Sequence, residues 1–161
     1  MWRVTTLITA VVVVCYSPLG CRRTPRSTAT TPSIDVEQLG MLCRIPSFVE
    51  SVEWQVIAHG DGHLGPSDYT LIARLHISAE GEGILDQCVT EASINRIPIA
   101  KAMIPDWLGD HRSLFVPSSV GGCTEAHCRA YTADLFYHSP YLNGVMLRPD
   151  RATVVIVLYT M

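Results

Sequence analysis

The chain has 161 residues, 48% of them hydrophobic and 17% charged, with a formal net charge of −3. One domain is the expectation at this length, with enough chain to close a core. From Ile34 onward eight Lys/Arg stand against fifteen Asp/Glu, a net of −7, so a nucleic-acid partner is disfavoured on electrostatic grounds.

The amino end is built differently from the rest. Arg3 precedes an apolar run from Leu7 to Tyr16, then Ser17-Pro18-Leu19-Gly20-Cys21, then a Thr/Ser/Pro/Arg stretch. A bilayer-spanning helix needs ~20 apolar residues, whereas the core of a removable export signal runs ~7–15. The segment resembles the bacterial prolipoprotein signal, in which a small residue stands immediately before a lipid-modified cysteine; Gly20 and Cys21 occupy those positions. Pro18 stands where the family has an aliphatic residue, with Leu19 one place later. The resemblance covers residues 1–21. It implies a signal peptide over 1–20, palmitate-type acylation of Cys21, and a membrane-anchored location in the cell envelope, for which more than one chain is needed. An ordinary secreted or periplasmic protein and an uncleaved anchor are the alternatives.

Residues 22–33 (RRTPRSTATTPS) hold nothing apolar larger than alanine and cannot offset the entropy of ordering. A flexible tether over 21–33 follows, with an average reach of about 20 Å. Arg22, Arg23 and Arg26 would then lie near anionic headgroups. A globular domain over 34–161 is expected beyond it.

Within that domain, Asp35–Leu42 reads as a short helix weakened by Gly40, and Pro46 ends it. Ser51–His59 alternates, with Val52, Trp54 and Val56 on one side. Residues 60–68 are dense in turn formers. Tyr69–Ile77 alternates again, so Leu71, Ala73, Leu75 and Ile77 oppose Thr70, Ile72, Arg74 and His76, and an antiparallel pair is predicted. Ser78 caps the main helix, where Glu80 and Glu82 suit the positive end and Ile84, Leu85, Cys88, Val89 and Ala92 recur at helical spacing. Asn95–Asp110 is apolar but irregular, and Ser113–Val116 reads as a short strand before Pro117. Arg129–His138 reads as a strand from the alternation of Tyr131, Ala133, Leu135 and Tyr137. Gly144–Leu147 and Ala152–Thr160 flank an Arg-Pro-Asp-Arg turn. Val154–Leu158 is apolar on both faces and so predicts a strand covered on both sides. The fold class is α+β: an antiparallel sheet of about five strands with one main helix packed on it.

Cys43, Cys88, Cys123 and Cys128 make an even set in an exported domain and predict two disulfides. Cys43–Cys88 and Cys123–Cys128 are favoured among three connectivities, with ~4 and ~2 kcal/mol of loop-closure stabilisation. A metal site is the alternative, but the second short-spaced ligand pair that zinc takes is missing, so no metal or cofactor is expected.

No motif commits the chain to catalysis. His59-Gly60-Asp61-Gly62-His63 brings two imidazoles and a carboxylate within five residues, which can serve an ion and is also ordinary turn chemistry. Ser118–Gly122 lacks the G-x-S-x-G elbow. Cys123, His127 and Asp134 are a nucleophilic set by residue type only, and Glu80, Glu82 and Glu91 need proximity in space to act as paired carboxylates. Tyr131, Phe136, Tyr137, Tyr141 and Tyr159 crowd the last third, as core or contact surface. The expectation is a non-catalytic, membrane-tethered binding or accessory domain with an envelope protein partner. A secreted inhibitor or immunity-type protein and a small envelope hydrolase with a His-containing site are the alternatives.

Overall fold

Strand β8 (Thr153–Tyr159) sets the architecture. Val154 through Leu158 are all fully buried, which a strand achieves only if both faces of its sheet are covered. In the computed structural model, which describes residues 31–59, 68–93 and 96–160, they are. β8 is the centre of a five-stranded antiparallel sheet ordered β1-β2-β8-β7-β6, where β1 is Val49–His59, β2 Asp68–Ile77, β6 Ala130–Thr132 and β7 Asn143–Leu147. The α+β class and the five-stranded sheet expected from the sequence are both present.

The alternation sorts side chains into two cores. Val154, Ile156 and Leu158 join Leu71, Ala73, Leu75 and Ile77 of β2 on the helical side, under Leu39 of α1 (Val36–Leu42) and Leu85 of α2 (Ala79–Cys88). Val155 and Val157 join Ile72 of β2 and Val145 and Leu147 of β7 on the other side. There they meet Ile97, Ile99, Ile104, Leu108 and Phe115. Each such side chain contributes ~1.5–3 kcal/mol on burial, so neither layer is dispensable.

Both helices are capped at their first turn, the second by Ser78 as expected. Asp35 accepts the Gln38 amide at 2.9 Å, and Ser78 accepts that of Gly81 at 3.2 Å. The β1–β2 pair is antiparallel as expected, with Trp54 opposite Ala73 and His59 opposite Asp68. Arg148 ties the β7–β8 turn to α2 through Asp86 at 2.6 Å, and Asp150 accepts the Thr153 amide at 2.7 Å inside that turn.

Of the second covering layer, only the short strand expected at Ser113–Val116 was read in the sequence, and it is present as Phe115–Pro117. The layer is a three-stranded antiparallel sheet, β3-β5-β4, made of β3 (Arg96–Ile97), β4 (Phe115–Pro117) and β5 (Thr124–Ala126). Two 3-10 segments lie between β3 and β4, Lys101–Met103 and Asp106–Leu114, the latter kinked at Gly109. Lys101, the only lysine, clamps this region by donating to the carbonyls of Arg112 and Phe115. Burial, and then the Arg112 charge, lower its pKa.

Two elements differ from expectation: α2 ends at Cys88, leaving Val89 and Ala92 outside it, and the segment after Cys128 is mostly not strand. Of Arg129–His138 only Ala130–Thr132 is strand, and Asp134–Phe136 is a 3-10 turn entered at Ala133 with ψ 24°. A three-residue repeat puts Ala133 and Phe136 into the core together and leaves Leu135 outside. A two-residue repeat would have pointed Phe136 away.

Two glycines give opposite predictions. A Cβ on Gly144 would stand 2.4 Å from the Val157 carbonyl oxygen and 3.0 Å from Leu158 Cα, so Gly144→Ala must part β7 from β8 and should cost about 1–3 kcal/mol. Gly83 lies inside α2 with open space around it, so Gly83→Ala should stabilise by about 0.5–1 kcal/mol. Urea titration of both variants measures the contrast.

Candidate functional site

Where β1 ends and β2 begins, the first strand pair delivers a polar cluster. His59 and Asp68 are cross-strand partners, and Thr70 stands opposite Ile57 on β1 and Tyr159 on β8. Thr70 is 1% exposed, an uncommon position for a hydroxyl, and it is satisfied by His59, with Nε2 to Oγ1 at 2.7 Å. Tyr159 and Pro98 complete a cleft of about 170 Å³ with these residues. Beside it, the Tyr69 amide donates to Thr160 Oγ1 at 3.0 Å and the Thr160 amide to the Tyr69 carbonyl at 3.2 Å. These two bonds clasp the ends of β2 and β8.

Of the five aromatic residues singled out in the sequence, Phe136 and Tyr141 are buried in the helical-side core, with Tyr131 and Tyr137 packed against it. Packing occupies most of the set. Tyr137 donates to the Gly144 carbonyl at 3.1 Å. Its pKa is raised by burial, with the Asp134 carboxylate adding to the effect. Burial also raises the pKa of Tyr141 and Tyr159, so these phenols stay neutral donors to higher pH than usual.

Chemically, the cleft offers an imidazole, a phenol and an exposed carboxylate, and its hydroxyl is held by the imidazole. A nucleophile–base pair needs the hydroxyl accessible and the imidazole oriented by a third group. Thr70 is enclosed, and among the described residues no hydrogen bond reaches His59 Nδ1. The volume also falls below the ~300 Å³ at which small-molecule sites begin.

The other sequence-level sets stay apart. Cys123 sits in the turn before β5, His127 follows β5, and Asp134 opens the turn after β6; no hydrogen bond joins any two of them among the described residues. Ser118 donates to Glu125 at 2.6 Å and accepts the Val120 amide, which is turn chemistry. Glu80 and Glu82 lie in the first turn of α2, and Glu91 approaches Arg129 at 3.9 Å on the surface. Asp61 and His63 lie outside the described residues, as do Gly20, Cys21, Arg22, Arg23 and Arg26. Among the described residues no group of His, Cys, Asp or Glu is placed to hold a metal ion, and no helix is long and apolar enough to cross a membrane.

The four cysteines expected to pair are free thiols in the structure. Cys43 is at 0% exposure in the helical-side core, whereas Cys128 packs against the opposite one. Burial pushes the Cys43 thiol up to about 12.

A larger groove was invisible in the sequence because three separated segments build it. Ile34 and Val36, Glu50 and Glu53 of β1, and Arg74 and His76 of β2 line about 520 Å³. Ile34 is 74% exposed and Val36 43%. Glu53 is paired with Arg74, which lies over the Trp107 ring at 5.9 Å. Trp107 in turn donates to Gln55 at 3.0 Å. The groove therefore has a braced polar wall and a projecting apolar lip. No family model, curated protein or solved structure matches the chain.

Two predictions follow from this geometry. Thr70→Val keeps the shape and removes the partner of His59 Nε2, so it should cost about 1 kcal/mol and shift the His59 ring resonances in NMR. Cys43 should resist iodoacetamide at pH 8 in the native protein while Cys88, which is exposed, is alkylated. Because burial raises the Cys43 pKa in the folded state, its contribution to stability is intact below the unfolded value near 9. It is lost as pH climbs toward about 12, and denaturation midpoints measured across that window should fall.

Proposed function

We propose that the protein is an envelope-tethered, non-catalytic binding domain that engages a basic face of a protein partner through the groove beside β1. The observation that carries this reading is the exposed pair Ile34 and Val36 set against Glu50 and Glu53. Apolar contact ringed by charge is the anatomy of a protein interface. The acidic balance of the domain, −7 from Ile34 onward, steers basic partners toward it. The lipid anchor at Cys21 is part of the proposal and rests on the Gly20-Cys21 resemblance. Thr31 lies ten residue steps beyond Cys21, a span of at most ~35 Å when extended, so the groove would work close to the bilayer.

A hydrolase reading has one observation in its favour, the His59–Thr70 hydrogen bond. The enclosure of Thr70 makes that contact a structural lock instead.

Two measurements test the proposal. A photo-crosslinking residue at position 34, with position 84 on α2 as control, should give an adduct in intact cells from 34 alone, and Glu50→Lys should weaken it. Equal adducts from both positions, or none from 34, refute the groove. Separately, Cys21→Ser should abolish metabolic fatty-acid labelling and release the protein from membranes; a membrane-bound, unlabelled wild type refutes the lipid anchor and leaves the groove standing.

A further inference from the structure

Four ionisable side chains line the groove beside β1: Glu50, Glu53, Arg74 and His76. Glu53 and Arg74 are committed to each other in an ion pair, and the Trp107 ring holds Arg74 from the other side. Glu50 and His76 are both exposed. Among the described residues neither side chain has a hydrogen-bond or ion-pair partner. The charge of the groove is therefore set by these two. While the imidazole is neutral, two carboxylates against one guanidinium leave one net negative charge, and a proton on His76 cancels it.

A fault in the strand register brings the two together. The β1–β2 pairing steps from Val49 opposite Ile77 to Ser51 opposite His76, so β1 advances two residues while β2 advances one, and Glu50 is the extra residue. A bulge of this kind re-aims a side chain and recurs beside functional sites. Regular alternation would turn Glu50 to the side of Val52 and Trp54, which belong to the helical-side core. Instead it lines the groove next to Ser51, the cross-strand partner of His76. The other charges around the imidazole are accounted for. Arg74, on the same face of β2, is neutralised by Glu53. On the β8 side His76 faces neutral Thr153, whose amide is held by Asp150, with Arg151 exposed in the same turn. At the lip, Asp35 caps α1 through the Gln38 amide and Glu37 is exposed. In the second covering layer Asp106 and Arg112 compensate each other.

We propose that His76 is a proton-operated gate on this groove, with Glu50 as the residue that takes a lysine or arginine of the partner. The inference rests on the reading of the groove as a site for a basic protein face, and adds its regulation. Histidine is the ordinary side chain whose charge changes between pH 5 and 8, whereas lysine and arginine stay cationic throughout that range. With His76 neutral, Glu50 is the uncompensated charge and attracts the partner's cation, while Ile34 and Val36 cover its aliphatic stem. With His76 protonated, the imidazolium competes for Glu50 and repels the incoming cation. Affinity therefore falls as pH falls. By linkage, an occupied groove resists protonation of His76 to the same extent.

Photo-crosslinking from position 34 of the full chain, in permeabilised cells buffered at about pH 7.5 or about pH 5.5, tests the gate. The wild-type adduct should drop about fivefold at the lower pH, the size of a modest coupling between two sites. His76→Gln keeps the ring position neutral and should give the strong adduct at both pH values. His76→Arg fixes the positive charge and should give the weak adduct at both. His76 is exposed, so both variants keep the fold, which near-ultraviolet circular dichroism checks. A wild-type adduct that is equal at the two pH values overturns the gate and leaves the groove standing. A pH-dependent drop that persists in His76→Gln places the titrating group elsewhere and also overturns the gate. Absence of any adduct from position 34 at either pH removes the groove reading, and the gate falls with it.

Discussion

The structure depends on covering one strand from both sides. With Val154 through Leu158 all buried, β8 needs a layer above and a layer below, and every other element can be placed by which layer it serves. α1, α2 and the Asp134–Phe136 turn serve one. The small sheet and the 3-10 segments around Trp107 serve the other. Removing the first layer would expose Val154, Ile156 and Leu158, and removing the second Val155 and Val157.

That requirement explains why the second layer is assembled from weak parts. A stretch with Pro98, Pro105 and Pro117 cannot form a long helix or a wide sheet. It packs instead through short pieces, and its backbone groups need other partners. Lys101 supplies two of them through the Arg112 and Phe115 carbonyls, and the Arg74–Glu53 pair with Trp107 and Gln55 braces the seam to β1 and β2. Polar side chains here do the joining that regular ladders do elsewhere in the molecule.

What could be read from the sequence follows the same division. β1 and β2 announce themselves by a two-residue period, β8 by an unbroken apolar run, and the cap Ser78 is a local signal with a local partner. β3, β4 and β5 are two or three residues long, too short for any period to register, and only β4, ahead of Pro117, was read as a strand. The 129–138 segment misled because Tyr131, Ala133, Leu135 and Tyr137 alternate while the core wants Ala133 and Phe136 together. Of the candidate site, His59 was visible as chemistry within its own loop. Its real partner, Thr70, sits eleven residues away across the hairpin and was legible only as an outward member of a strand. The groove joins residues 34–36, 50–53 and 74–76, and no local pattern links those three.

The two edges of the main sheet are closed differently, and the difference bears on how an attachment at the amino end would act. Outside β6, the Ala92 amide donates to Ala130 and the Thr132 amide to the Thr90 carbonyl, both at 2.9 Å, so an ordinary connection covers that edge. At β1 the covering residue is Ser33, which is also where the domain joins the segment that precedes it. Tension on that segment therefore reaches the fold through the two Ser33–Trp54 bonds and the Trp54 indole bond to Asp35. Asp35 is the cap of α1, and Ile34 and Val36, on either side of it, form the lip of the groove. Were the amino end anchored as proposed, the anchor and the groove would be coupled through Trp54, because the same short stretch of backbone joins both.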